Sequence, residues 1–408
     1  MGGEPRRTPK RIIATMTVTI VGASLAGIRV AQALRRLGYA ETITMLGEEP
    51  YPPYDRPPLS KELLGKDGPA TPPLLAPGAM LAELSLDLRL STRVTGLDPA
   101  GHKIMLDDGA PVGYETLVIA TGARARRHPL GTEWAGFRSL RTFDDAAAIR
   151  EELDKRPAVA VLGGGFIGAE VAAAARKRHL DVTMIEVLPA PMARSLGPDV
   201  GALLTRLHAD HGVRVLTGTT IAAVRGSDRV SELALTDGSV VAADLVVEGL
   251  GAMPATDWLA GTGVDRTDGI ACDADLRALG HEGIFAAGDV ARRPHELLGQ
   301  SVRIEHWTSA GEHGEIVAAS IMGTPRPAAM PPYVWSDQHG HRLQVVGRPH
   351  PDDSVTIMES AEDSRHLAVY ERAGAVSGVF TIDSPKLMLR GRRAIISGIS
   401  SREFFRQL

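Results

Sequence analysis

The chain of 408 residues contains a single cysteine, Cys272. A disulfide framework, a CxxC redox pair and a cysteine-based zinc site each need more than one thiol, so all three are excluded. Any redox chemistry must be carried by a bound cofactor. Cys272 lies in a short apolar run and reads as a buried filler. An excess of either charge is also lacking: 45 Lys plus Arg face 49 Asp plus Glu, a net charge of −4. That argues against nucleic acid as a partner and predicts no strong global steering field. No stretch reads as a membrane span. Ile12–Ile28 is uncharged over 17 residues and follows Arg6, Arg7, Lys10 and Arg11, as in an export signal. It carries glycines at turn spacing, however, and runs directly into the amphipathic stretch Arg29–Gly38. A buried strand is therefore the preferred reading, with Met16 as an alternative start, residues 1–15 as a disordered tail and the cytoplasm as the expected location.

What the sequence does have is glycine, 44 residues of it, above the average of about 7%. Apolar residues at 44% and charged residues at 23% describe an ordinary globular protein. At roughly 100–200 residues per domain the length predicts two to four domains.

Two segments carry most of the information. In the first, Val18-Thr19-Ile20-Val21 predicts a short buried strand. The turn Gly22-Ala23-Ser24-Leu25-Ala26-Gly27 follows, then a helix with Ile28, Ala31, Leu34 and Leu37 on one face, then the strand Ile43-Thr44-Met45-Leu46. Strand, glycine turn, helix and strand within about 30 residues make a dinucleotide-binding unit. Gly22 permits the tight turn, Gly27 the close packing of helix on strand, and the helix start receives a pyrophosphate. Glu48 is placed to accept the ribose hydroxyls, with Glu49 as the fallback. Ser24 stands where the pattern has its central glycine.

The second unit is more complete. Ala158–Leu162 predicts a strand, Gly163-Gly164-Gly165-Phe166-Ile167-Gly168 is a full GxGxxG, Glu170–Arg178 predicts a helix, and Val182–Ile185 predicts a strand that closes at Glu186. A carboxylate there favours NADH, because a 2′-phosphate would meet its charge. Two dinucleotide sites in one chain point to one dinucleotide reducing another, most economically FAD and a nicotinamide.

The remaining motifs resemble the two-dinucleotide-binding-domain flavoprotein disulfide-reductase superfamily. Tyr114–Ala123 resembles its ATG motif, with Ala120, Thr121 and Gly122. Gly283–Val290 resembles its second FAD motif, with Gly288, Asp289 and Val290. Within the superfamily the chain is most similar to the ferredoxin reductases that serve haem-thiolate monooxygenases and Rieske-type dioxygenases. Pro53–Lys61, Gly163–Glu170, Glu305–Ala310 and Pro332–Asp337 carry that resemblance, which covers Thr17 to the carboxyl terminus. Thr381–Lys386 departs from the commoner Asn-Arg-Pro pattern.

The resemblance implies an α/β fold: two Rossmann-like dinucleotide-binding domains, glutathione-reductase-like, plus a C-terminal α+β interface domain. The implied division is an FAD domain at 16–124 and 248–327, an NADH domain at 125–247 and an interface domain at 328–408. Lys61 and Glu170 are implied as the catalytic pair beside the flavin. Asp289 is implied to bind the ribityl chain, with a helix start following it. Arg56 is implied near the isoalloxazine, Arg126 near the pyrophosphate and Val94 at the adenine. Trp307, with Glu305 and His306, is implied at the flavin edge, Phe166 and Ile167 beside the nicotinamide, and Gly251 completes the set. The implied activity is hydride transfer from NADH to FAD, then single electrons to a [2Fe–2S] ferredoxin. A basic cluster near Arg390, Arg392 and Arg393 would meet that partner, or be merely a solvated face. Rubredoxin, quinone or oxygen as acceptor, and an NADH-sensing protein like apoptosis-inducing factor, remain open alternatives, as do monomer and homodimer. No metal is expected, since His208 with His211, and His339 with His341, lack further ligands at a known spacing.

Overall fold

The computed structural model of the chain describes residues 17–131, 134–360 and 365–408. The expected tail at 1–15 lies outside them. Three five-stranded sheets organise the described residues.

The first sheet runs Ile284–Ala286, Thr116–Ile119, Val18–Val21, Ile43–Leu46, Leu86–Arg89 in spatial order, all parallel. Its central strand VTIV is buried at every position. Unbroken apolar runs of this kind form where both faces of a parallel sheet are covered. The second sheet repeats the plan with Val213–Thr217, Val182–Glu186, Val159–Leu162, Leu245–Glu248 and Phe137–Ser139. In both, a glycine turn leads from the strand into a helix, Leu25–Arg36 in the first and Phe166–Lys177 in the second. The second helix begins four residues before Glu170 because Gly165 already serves as its N-cap. A Cβ on Gly168 would lie 2.0 Å from the Gly163 carbonyl oxygen, and one on Gly27 would lie 2.2 Å from that of Gly22. Only glycine allows each helix to close on its own turn at that distance.

The chain crosses between these two sheets on a two-stranded ribbon, Ala123–Ala125 antiparallel to Ala252–Pro254. Thr121 Oγ1 donates to the Ala255 carbonyl at 2.9 Å and ties the ribbon's ends. Arg127 and the His128 amide both donate to the buried Glu248 carboxylate.

The third sheet is antiparallel, in the order Tyr333–Gln338, His341–Gly347, Ala375–Ile382, Arg365–Arg372, Ser354–Ser360. Successive residues of a strand face opposite sides. Ala368 and Tyr370 accordingly join the core shared with the helix Phe166–Lys177, whereas Leu367 and Val369 pack with Met388, Ala394 and Phe404 beneath the helix Pro385–Ser397. The C-terminal sheet thus shares one hydrophobic core with the second nucleotide domain and with Tyr54, Leu59, Leu63 and Leu64 of the first. No helix among the described residues is long and apolar enough to cross a membrane.

Candidate active site

The three units meet around one cavity of about 1080 Å³. A pocket for a single small ligand holds about 300–1,000 Å³, so there is room for more than one nucleotide. The helices Leu25–Arg36, Phe166–Lys177 and Trp307–Met322 all begin at its wall. None of the three has a capping side chain or an acid in its first turn. The helix Phe143–Asp154, by contrast, has a full capping box from Thr142 and Asp145. The first N–H groups of a helix need acceptors, and they carry partial positive charge. Leaving them open at a cavity suits a phosphate. The residues present therefore fit two dinucleotides, one on each glycine turn.

Most of the sequence-predicted site residues come together on the cavity lining. Ser24, Leu25, Ala26, Arg56, Lys61, Ala120 and Gly122 line the first domain's side, joined by Gly288, Asp289, Glu305, His306 and Trp307. Gly163, Gly165, Phe166, Ile167, Glu170, Glu186 and Gly251 line the other. Gly22, Gly27 and Gly168 sit behind the turns, where they serve packing. Val290 is buried, and Thr121 is used by the ribbon. Glu48, Val94 and Arg126 do not line this cavity. Glu48 is exposed and 3.4 Å from Arg93, while Glu49 is already held by Tyr54 and Arg56, so of the two acids Glu48 is the more open to a ligand. The helix expected after Asp289 begins at Trp307, on the cavity wall, and not directly after the motif. A 3₁₀ turn, Gly288–Val290, passes straight into the strand Ala291–His295, because that segment pairs with Gln300–Arg303.

Glu170 is the centre of the site. Its side chain is 3% exposed. One carboxylate oxygen accepts from Lys61 Nζ at 2.8 Å and from Ser60 Oγ, and the other accepts from Ser336 Oγ at 2.6 Å. Lys61 also donates to the Pro57 carbonyl at 3.1 Å. All three units therefore meet on one carboxylate. Breaking a buried pair by removing one partner costs about 3–5 kcal/mol, so this knot outweighs any single surface ion pair here.

Glu186 is nearly as constrained. Its two carboxylate oxygens accept from the Gly164 amide at 2.6 Å and the Leu188 amide at 2.8 Å. Each oxygen keeps a lone pair for a ribose hydroxyl. Asp289 is paired with Arg141 at 2.8 Å. Arg141, Ser60 and Ser336 are site residues that motif reading missed. Arg141 lies in no glycine pattern, and Ser336 is drawn in only by the fold of the third sheet.

The indole N–H of Trp307 donates to Asp55 at 2.7 Å. Trp335 meets Trp307 edge-on with ring centroids 6.0 Å apart, and Tyr333 stacks on Trp335 at 6.2 Å. The guanidinium of Arg392 lies over Tyr333 at 5.9 Å. Aromatic contacts thus lead from the cavity to the helix Pro385–Ser397.

Two histidines belong to this wall, His306 on the lining and His313 buried behind it. His313 Nδ1 accepts from the Gly288 amide at 3.1 Å, and burial pushes its pKa down to about 3. Burial likewise lowers His306 to about 4. Elsewhere His339 Nε2 and His208 Nδ1 share a hydrogen bond of 2.9 Å with His211 stacked on His339 at 4.3 Å. Burial lowers His208 to about 4 and His339 to about 3. No group of three metal-ligating side chains among the described residues is placed to hold an ion. Cys272 is buried, which raises its thiol to about 12.

The class defined by this site is a two-nucleotide oxidoreductase with a third domain closing the cavity. Residues 16–314 match the family described as pyridine nucleotide-disulphide oxidoreductase, and residues 333–403 match the family described as reductase C-terminal. The chain belongs to the pyridine nucleotide-disulphide oxidoreductase family. It is 35% identical over 354 residues to the biphenyl dioxygenase system ferredoxin–NAD(+) reductase component of Paraburkholderia xenovorans, covering 86% of each chain. It is 34% identical over 374 residues to the rubredoxin–NAD(+) reductase of Pseudomonas putida, covering 91% of this chain and 97% of that one. Among solved structures, the reductase of a covalent putidaredoxin reductase–putidaredoxin complex superimposes with a TM-score of 0.91 at 30% identity, covering 96% of each chain.

Two predictions follow from the geometry. Lys61→Ala is expected to slow flavin reduction by NADH at least tenfold in stopped-flow absorbance while FAD content stays at one per chain. An unchanged rate would remove Lys61 from the chemistry. The four buried histidines are neutral in the fold, whereas unfolding restores a pKa near 6.5. The unfolded chain then binds more protons below that value, so stability is full above about pH 6.5 and falls as pH drops toward 4. At pH 5 His313 alone costs about 2 kcal/mol. Thermal midpoints measured from pH 7 to 5 should fall, and His313→Asn should flatten the slope; a flat wild-type profile would contradict the assignment.

Proposed function

We propose that the protein is an NADH-dependent ferredoxin reductase in which Lys61 and Glu170 are the catalytic pair. The observation that carries this reading is the single cavity onto which both uncapped glycine-turn helices open, with Lys61–Glu170 between them. FAD, when bound, takes an electron pair from NADH and returns it one electron at a time, as a [2Fe–2S] acceptor requires.

The chain's own residues do the rest. The start of Leu25–Arg36, with Ser24, holds the FAD diphosphate, and Glu48 takes its adenosine ribose. The start of Phe166–Lys177 holds the NADH diphosphate, and Glu186 takes the ribose of its adenosine. Glu186 also disfavours a 2′-phosphate, which supports NADH over NADPH. Lys61 would present a cation to the flavin edge, favouring the reduced anionic form electrostatically, and Glu170 keeps the ammonium aimed. Arg141, in reach of Asp289, orients that carboxylate toward the ribityl hydroxyls. Trp307 and Trp335 exclude water from one side of the cavity.

The lack of redox cysteines leaves direct transfer to an external acceptor. The named relatives act with ferredoxin in most cases and with rubredoxin in one. Ferredoxin is favoured because the aromatic contacts end beneath a basic helix. Arg392 covers Tyr333, Arg393 is exposed, and Arg390 holds the carbonyls of Gln407 and Leu408. An acidic partner would be steered to that face. The cytoplasm is the compartment that supplies both NADH and ferredoxin.

NADH-dependent cytochrome c reduction by the purified holoprotein tests the reading. Addition of a [2Fe–2S] ferredoxin should raise the rate manyfold, with NADPH a poor donor. Reversing Arg392 and Arg393 to Glu should lower the ferredoxin rate about tenfold relative to the ferricyanide rate and flatten its salt dependence. Stimulation by rubredoxin alone would reassign the acceptor, and slow turnover with a persistent charge-transfer band would point to a sensor.

A further inference from the structure

Six arginines line the cavity: Arg56, Arg141, Arg194, Arg303, Arg348 and Arg372. Four are matched by carboxylates. Arg56 pairs with Glu49, Arg141 with Asp289, Arg303 with Asp268 and Glu305, and Arg372 with Asp353. Arg194 and Arg348 have no ion pair or side-chain hydrogen bond among the described residues. Both are exposed and a guanidinium stays charged at any working pH, so each is open to an anion that enters the cavity.

Arg348 is the unexpected one, because it belongs to the C-terminal domain. Its backbone is held on both sides. The Arg348 amide donates to the Ser377 carbonyl at 3.0 Å, and its own carbonyl accepts from Arg372 Nη2 at 3.2 Å. The preceding Gly347 has φ +86°, and a Cβ there would lie 2.3 Å from the Ser377 oxygen, so the bend that aims Arg348 needs glycine. The following Pro349 restricts Arg348 itself to extended backbone. This is a fixed position with a free side chain.

The same wall faces the second nucleotide domain. Tyr370, two residues before Arg372 on one strand face, donates from its hydroxyl to the Leu196 carbonyl at 2.6 Å. Leu196 adjoins Arg194 and Ser195, and all three line the cavity, as do the glycine turn at 163–165 and Glu186. The titratable groups that feel the charge of Arg348 are His295 and His306, both held neutral first by burial. Neither can serve as its counter-ion.

We infer that Arg348 forms a third wall of the nicotinamide-dinucleotide site and takes a phosphate oxygen of that dinucleotide's diphosphate from the side opposite the Gly163–Gly168 turn. This rests on the reading that the turn holds NADH. The C-terminal domain then contributes directly to hydride-donor binding as well as facing the electron acceptor. A bound dinucleotide then touches both Arg348 and the helix start.

Stopped-flow reduction of the holoprotein by NADH yields a Kd and a limiting rate separately. Arg348→Gln is expected to raise the Kd for NADH about tenfold, as loss of one charge-assisted hydrogen bond does, with the limiting rate within about twofold. Arg348→Lys should recover part of the loss. ADP-ribose, which has the diphosphate but no nicotinamide, should weaken as an inhibitor by the same factor, and adenosine should not. The side chain makes no hydrogen bond or ion pair among the described residues, so the variant's thermal midpoint serves as a folding control. An unchanged Kd for NADH and ADP-ribose, in a protein that NADH still reduces, overturns the inference and leaves the reductase reading intact. A raised KM for ferredoxin at unchanged Kd for NADH also overturns it and moves Arg348 to the docking face. A wild-type flavin that NADH fails to reduce overturns the reductase reading itself.

Discussion

One buried carboxylate organises the molecule. Glu170 accepts from Ser60 and Lys61 of the first nucleotide domain and from Ser336 of the C-terminal sheet, while its own helix begins at the second glycine turn. A buried carboxylate with an unpaired lone pair carries a large desolvation cost, so these partners are mutually obligatory. Moving any one domain strands the others' polar groups. The sharing of one hydrophobic core between the C-terminal sheet and the second nucleotide domain makes that geometry rigid rather than adjustable. The consequence is that the Lys61 cation and the helix that starts at the second glycine turn are positioned by the same ion pair.

A second constraint runs the other way. The cavity walls are deliberately incomplete as protein: three helix starts without caps, and two arginines without carboxylates. The neighbouring helix Phe143–Asp154, by contrast, carries its own capping box. Polar satisfaction has been left to the dinucleotides. Stability and ligand binding are coupled by that choice, because anything that binds only the folded state stabilises it.

Much of this was legible in the residues. Two strand–glycine turn–helix–strand patterns located the two parallel sheets and the turns that open on the cavity, since Gly27 and Gly168 are forced by helix–turn contacts that only glycine tolerates. The resemblance implied an α+β domain toward the C-terminus, and the structure has an antiparallel sheet with a helix packed on it there. What stayed hidden came from sequence-distant partners. Ser336 lies 166 positions from Glu170, and Arg141 lies 148 from Asp289, so no local spacing reports either contact. The helix expected after Asp289 starts as late as Trp307 because the intervening chain forms the paired strands Ala291–His295 and Gln300–Arg303. Arg126 was implied near the pyrophosphate by family pattern, yet it does not line the cavity, whereas Arg141 does.

The central claim is that the C-terminal domain acts on the chemistry through Glu170 and is more than a lid. Ser336 touches only Glu170 and Gln338 by side-chain hydrogen bonds among the described residues. The most direct measurement is the limiting rate of flavin reduction by NADH in a Ser336→Ala holoprotein. Losing a hydrogen bond to a buried charge costs about 1.5–3 kcal/mol. The account predicts a fall of about tenfold or more at full FAD occupancy and unchanged NADH affinity. A wild-type rate in that variant would contradict it.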